Sequence, residues 1–528
     1  MLRPMNKRDI EHYAAQAGLR LDDDELAEFA IVAEFMLSQL RPLDTQPAPS
    51  VPRVEAVRDV GRRATRSEDP RNAIVRWCKV KGFKDGILSG KRVGLKDNFA
   101  ISGIPMTCGS QLFQGYIPES DSVVAERLLQ AGAEIVATLN MDDLAFSGGA
   151  DLSAYGPILN PIDPTRTSGG SSGGAAVALY YEGIDITFGA DQGGSIREPA
   201  SWCGVLGLKP TFGLVPYTGI LGLDASLDHA GPLARTTENL ALGLQAVAGK
   251  HESDPRQVNV VTADYVAAVR DAPTDLKGIT IGLVKEGFDP ANVETESIEA
   301  TLEAVERMRR LGARTVDVSI PEHATAGGIS FATFLEGEIA SLFGFGNGYH
   351  WQGRYDLTLP IALGQGLRTF SDDLLPQLKA VLIVGSYLHD HYFSYYYAKA
   401  QNLRPSLRAA YDAALKHVDF LVMPTTQVRA HKYEAEMSIS RRIVTGWDML
   451  GNTSPTCLTG HPALSMPAAE AEGLPVGTML IGPMFSEARM LAFARTYEGA
   501  FDWCPSAAQR ISRPRREVES GESHRQCP

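Results

Sequence analysis

Apolar positions recur along this chain with two periods, and the period changes where the elements change. Leu26, Phe29, Val32, Ala33 and Met36 repeat at three- and four-residue spacing, which predicts a helix over 22–40. Asp22, Asp23 and Asp24 stand at its start, where carboxylates meet the positive end of the helix dipole. A shorter helix is predicted over 8–18. Pro42, Pro47, Pro49 and Pro52 then break the pattern, and a charged stretch runs to residue 72. Residues 1–72 therefore read as a helical appendage with a linker. An apolar stripe on such an appendage needs something to cover it, which suggests packing or dimerisation.

From residue 75 onward strands and helices alternate. Strands are predicted at 92–96, 134–139, 186–190, 279–284, 314–319, 419–423 and 477–482. Helices are predicted at 121–130, 175–181, 297–311 and 487–499. In the first of these, Val124, Leu128 and Leu129 share one face and Gly132 ends the run. Alternation over this length predicts one large α/β domain spanning 73–505. Residues 506–528 are polar and basic and read as a loose tail.

Composition narrows the function classes. Apolar residues make up 44% and charged residues 21%, which is ordinary globular usage. The net charge of −13 argues against nucleic acid as the main partner. No apolar run reaches the length of a membrane span, and MLRPMNKRDIEHY lacks the apolar stretch of a secretory leader. The six cysteines form no CxxC pair, so reduced thiols in a cytoplasmic protein are expected, with no membrane contact.

Two Gly/Ser segments carry the chemistry. One is Thr167-Ser168-Gly169-Gly170-Ser171-Ser172-Gly173-Gly174, and the other is Gly189-Ala190-Asp191-Gln192-Gly193-Gly194-Ser195-Ile196-Arg197. The second follows a predicted strand directly. A Gly-Gly-Ser turn there leaves backbone N–H groups pointing into open space, as an oxyanion hole requires. Ser195 is then a candidate nucleophile. The plain alternative is a flexible loop. A motif search offers another answer, because G-x-S-x-G occurs around both Ser171 and Ser172. That elbow needs a strand before it, and Pro161 and Pro164 argue against one.

A serine nucleophile needs a base. His229 is the nearest histidine and reads as a structural hydrogen-bonder. Lys96 ends the apolar strand Arg92-Val93-Gly94-Leu95, where desolvation disfavours the ammonium form. The alternative is a lysine that snorkels to the surface. No S-x-x-K occurs, which excludes the penicillin-binding type of site.

These segments, with Gly94-Leu95-Lys96-Asp97-Asn98-Phe99, Asn140-Met141-Asp142, Tyr397-Ala398-Lys399-Ala400-Gln401 and Gly460-His461-Pro462-Ala463-Leu464, resemble the amidase signature family over about 75–500. The resemblance implies a large mixed, twisted sheet with helices on both faces and a Ser–cis-Ser–Lys triad. Carried over, Ser195 is the acylated nucleophile, Ser171 the bridging serine with a cis peptide bond, and Lys96 the base. Gln192, Gly193 and Gly194 supply the oxyanion donors, and Ser172 orients the loop. Asp191 and Arg197 form a supporting ion pair. No metal and no cofactor is implied.

Gln192, where many members have Thr or Ile, together with the appendage and Gly348–Gly353, makes the chain resemble the amidases that act beside nitrile hydratases. That implies a homodimer hydrolysing small neutral amides with an aromatic or medium aliphatic acyl group. Carbamate, hydrazide or ester hydrolysis stays open, and an amidotransferase subunit is the third reading. The aromatic-rich stretch 341–397 is expected to line the acyl pocket, with Phe146 the best single candidate. His389-Asp390-His391 suggests a metal only weakly, because alternate residues do not converge on one ion.

Overall fold

The computed structural model describes residues 2–47, 54–346, 352–501 and 503. It comprises two units, Met1–Pro52 and Arg53–Pro528. The first holds helices Lys7–Gln16 and Asp23–Leu40, each opened by a reciprocal capping box, Asn6 with Asp9 and Asp22 with Glu25. Leu26 is buried there, whereas Phe29, Val32 and Met36 are exposed.

The second unit is organised by one twelve-stranded sheet. Its strands are β1 (Val57–Arg63), β2 (Ile74–Lys81), β3 (Arg92–Lys96), β4 (Glu134–Leu139), β5 (Ile186–Asp191), β6 (Leu206–Lys209), β7 (His229–Ala234), β8 (Thr280–Val284), β9 (Arg314–Val318), β10 (Phe420–Pro424), β11 (Ala463–Ala471) and β12 (Leu474–Ile481). Their spatial order is β1-β2-β4-β3-β5-β7-β6-β11-β12-β10-β8-β9. The sheet is mixed: β3 runs parallel to β4 and β5, and β8 parallel to β9 and β10, while the other pairs are antiparallel.

Alternation along a strand sends side chains to opposite faces, and β10 shows the result. Phe420 and Val422 join one apolar cluster, and Leu421 and Met423 join another. Helices Val123–Gln130, Thr237–Val247, Thr295–Arg310 and Glu487–Ala500 feed the first cluster through Leu128, Leu244, Val305 and Leu491. Helices Pro321–Phe343, Leu359–Phe370, Pro376–Tyr392 and Tyr395–Leu415 feed the second through Ile339, Leu363, Leu378 and Leu407. The expected sheet with helices on both faces is the fold that forms.

Several elements depart from the sequence reading. Residues 57–63, read as linker, form β1 at the sheet edge, so the unit boundary falls at 52/53 rather than 72. The strand is charged, and its pairing with β2 is irregular between Asp59 and Arg62, both common ways to protect an edge from further pairing. β2, β6, β7 and β11 are not among the predicted strands, and β7 and β11 carry prolines, Pro232 and Pro467, which are uncommon inside a sheet. The tail, 506–528, lies outside the described residues.

The three parallel strands position the chemistry. Lys96 pairs with Leu139 of β4, and Leu95 with Phe188 of β5. The C-terminal ends of β3 and β5 therefore open at the same side of the sheet, where α/β folds hold ligands.

The edge strand is anchored by one ion pair. Arg58 donates through Nη2 to Asp121 Oδ2 at 2.6 Å and through Nη1 to Oδ1 at 2.9 Å, with both side chains nearly buried. Arg58→Met strands the Asp121 carboxylate. A loss of roughly 3 kcal/mol is expected, read as a lower urea midpoint. An unchanged midpoint would show that the pair holds nothing.

Candidate active site

Lys96 stands at the end of β3 and is fully buried. Its Nζ donates to Ser171 Oγ at 2.7 Å. The Gly170–Ser171 peptide bond is cis. Gly170 is required by close approach, since a Cβ there would lie 2.0 Å from Asp142 Oδ2. The two Gly/Ser loops are sewn together by Ser172. Its N–H donates to the Ser195 carbonyl at 3.1 Å, and its Oγ donates to the Ala190 carbonyl at 3.2 Å. Ser195 follows the turn that leaves β5 and lines a pocket with Gln192 and Gly193. Gly194, at φ +154°, has no room for a side chain: a Cβ would meet Glu198 Oε1 at 2.0 Å and Thr453 Oγ1 at 2.4 Å.

The turn is held from beneath. Arg197 donates from Nε to Asp191 Oδ2 at 3.0 Å and from Nη2 to Oδ1 at 2.9 Å, and neither side chain is exposed. Arg197 Nη1 also donates to the Thr453 carbonyl and to Thr456 Oγ1. This fork joins the end of β5 to helix Ser454–Thr459.

Electrostatics follow from burial. Desolvation draws the Lys96 amine down to about 7. Burial pushes the Asp142 carboxyl up to about 8 and that of Asp228 up to about 7. Burial also opposes ionisation of Asp191, but the Arg197 charge outweighs it and holds that carboxyl well below the usual range. His229 is buried with Nδ1 2.5 Å from the Leu227 carbonyl, and desolvation holds it well below the ordinary histidine value.

The pocket lining corrects one expectation. Phe146 lines it, but its aromatic companions are Phe334 and Trp447, joined by Leu223 and Leu450, and none of the described residues of 341–397. Phe146 and Trp447 meet edge-on with centroids 5.8 Å apart. Phe343, Tyr387, Phe393 and Tyr395 are exposed. Tyr349 and Trp351, with most of the 348–353 segment, lie outside the described residues. Aromatic density marked the wrong stretch, because a pocket wall needs only a few rings brought in from separate elements. Asp228 and Tyr217 also went unassigned, and no local pattern marks them. His389 and His391 lie exposed on helix Pro376–Tyr392, and among the described residues no group of His, Cys, Asp or Glu could hold a metal ion. Among the same residues, no helix is long and apolar enough to cross a membrane.

Known proteins place this geometry. The chain is 35% identical to a glutamyl-tRNA(Gln) amidotransferase subunit from Nostoc sp. over 426 residues, 80% of this chain and 86% of the relative. The crystal structure of the same subunit from Thermotoga maritima superposes with a TM-score of 0.69 at 26% identity, covering 84% of this chain and 92% of that one. The native peptide amidase of Stenotrophomonas maltophilia superposes with a TM-score of 0.64 at 29% identity, covering 82% and 85%.

These likenesses overturn two expectations. The reading as a hydrolase of small neutral amides, beside nitrile hydratases, does not stand: the curated relatives are amidotransferase subunits, the reading ranked third. The expected partners, a small amide, a second copy and no nucleic acid, fall with it, because the relatives are named as one subunit of an enzyme whose substrate is a charged tRNA. Gln192 is a single loop position and does not outweigh likeness over four fifths of the chain. A family model described as Amidase matches residues 72–491, and the chain belongs to that family.

Proposed function

We propose that Ser195 takes the acyl group of a primary carboxamide and releases its nitrogen as ammonia. The donor is the side-chain amide of glutamine, and the ammonia serves an amidotransferase of the kind its relatives are named for. The observation that carries the chemistry is the buried Lys96 amine, near neutrality and 2.7 Å from Ser171 Oγ, on a loop tied to Ser195. An amidotransferase moves nitrogen onto an acceptor, so some site must strip that nitrogen from a donor. A glutamyl acceptor yields a glutamine-type carboxamide, and the same group on free glutamine is the matching donor.

Each step balances. Ser195 Oγ bonds to the amide carbon while its proton passes through Ser171 to Lys96. The oxyanion forms beside the turn 192–195. The C–N bond then breaks, and the nitrogen leaves as ammonia with the proton from Lys96. Water adds to the acyl carbon, gives its proton back along the same path, and frees the acid and the Ser195 hydroxyl. In this reading Lys96 is the base, Ser171 the relay, and Asp191 with Arg197 holds the turn in place.

The base works only without its proton, so the sign is set. With the amine at about 7, kcat/KM rises with pH up to that value and is level above it. Below it, activity falls about tenfold per pH unit. Lys96→Arg lowers kcat by at least about a thousandfold at every pH, because a guanidinium keeps its proton. A flat profile, or an active Lys96→Arg variant, would make Lys96 a positioning charge.

The donor is tested by ammonia release from glutamine, asparagine and propionamide, with Ser195→Ala as the blank. Glutamine is expected to give the highest kcat/KM. Ammonia from propionamide alone would refute glutamine while keeping the acyl-enzyme.

A further inference from the structure

Gln192 sits between two cavities. It lines the pocket at Ser195, whereas its partners Tyr217 and Asp228 line an adjoining, larger cavity that shares Leu223 with that pocket. Its Nε2 donates to Tyr217 Oη at 2.8 Å and to Asp228 Oδ1 at 2.9 Å. Its Oε1 is buried and has no hydrogen-bond partner among the described residues.

The partners fix which end is which. Asp228 Oδ1 also accepts the backbone N–H of Leu223 at 3.0 Å, so that oxygen is an acceptor. Tyr217 directs its own hydroxyl proton toward the Leu221 carbonyl at 3.4 Å. Both atoms facing Gln192 therefore want a donor, and only the NH2 end supplies one. Nε2 is thus turned toward Tyr217 and Asp228, and Oε1 is the end of the amide that they leave unengaged. Arg256 stacks over the Tyr217 ring at 5.1 Å and closes the network from behind.

We propose that Gln192 Oε1 is the specificity-determining acceptor of this site: it takes one N–H of the substrate's carboxamide nitrogen and so selects amides over esters. This rests on carboxamide cleavage at Ser195. A primary amide offers two N–H donors beside its carbonyl, and one of them satisfies the orphaned oxygen. An ester places an alkoxy oxygen at the same point, acceptor against acceptor. The acid product also presents only acceptors there, which favours its release. The backbone of the same residue belongs to the oxyanion turn. One residue thus meets both ends of the scissile group, its main chain beside the carbonyl oxygen and its side chain at the nitrogen.

The experiment compares kcat/KM on two matched pairs, glutamine with glutamate γ-methyl ester, and propionamide with methyl propionate. Gln192→Met keeps the length and removes both the donor and the acceptor. The amide rate is expected to fall at least tenfold more than the ester rate. Tyr217→Phe, which contacts no substrate, loosens the Gln192 amide and should move the amide-to-ester ratio the same way by a smaller factor. That second variant separates selection from misfolding, since a damaged fold lowers both rates together. Parallel losses in both variants, or a ratio that does not move, overturn the proposal. Activity on the propionyl pair alone refutes the glutamine reading, and the ratio there still decides the role of Gln192. A protein inert on all four substrates refutes both.

Discussion

An amine taken out of water holds its proton weakly, and at Lys96 that loss outweighs the pull of the acids around it. Bringing it from 10.5 to about 7 corresponds to roughly 5 kcal/mol of lost preference for the ammonium form. One ionised carboxylate in contact would reverse that. Asp142 and Asp228 both pull the amine's proton back, but burial raises them to about 8 and about 7, so near neutrality neither carries its full charge. Asp191 keeps its charge, but Arg197 takes both of its oxygens. The pull of the surrounding acids is thus weakened in two ways, by desolvation or by pairing. The site depends on that balance as much as on Lys96 itself.

The same constraint explains the crowding of the loops. A base with no water shell needs its proton relay supplied by the protein, and Ser171 must approach within hydrogen-bond distance. Glycine at 170 lets the backbone pass against Asp142, and glycine at 194 lets the Ser195 turn pass against Glu198 and Thr453. Ser172 then ties both passages to each other by backbone and side chain. The G-x-S-x-G pattern around Ser171 and Ser172 has a different physical origin from a nucleophile elbow. Its glycines relieve close packing, and the segment before it, 160–165, is a loop rather than a strand.

Much of this was legible because the elements that carry the site have strong local signals. The runs at 92–96, 134–139 and 186–190 are short and apolar between polar or glycine punctuation, and they became β3, β4 and β5 nearly residue for residue. The Gly/Ser loops announced themselves by composition. What stayed hidden depends on distance in sequence. Phe334 reaches the pocket from helix Pro321–Phe343 and Trp447 from the turn after helix Ile439–Thr445, with no pattern that marks a pocket wall. Tyr217 and Asp228 meet Gln192 across a gap of 25 and 36 residues. The exposed aromatics of 341–397 misled because aromatic rings signal burial only on average, and Phe393 is 84% exposed.

Gln192 also shows how a true observation can be given the wrong weight. Read as a family badge, it pointed away from amidotransferase subunits, and likeness over most of the chain overrules that use. Read as a side chain, it has a fixed orientation, a buried unpaired oxygen and a place beside Ser195. Those properties concern how a scissile amide is held, and they apply whichever member of the family supplied the scaffold. A fold shared by hydrolases and amidotransferase subunits cannot distinguish its members by the triad. The distinction must lie in the groups that meet the rest of the substrate. Here the described lining at Ser195 carries no charged side chain. The zwitterionic end of a glutamine therefore finds no charged partner within that lining, and the scissile amide itself must supply much of the recognition. An acceptor held at that amide is the simplest device that can do so.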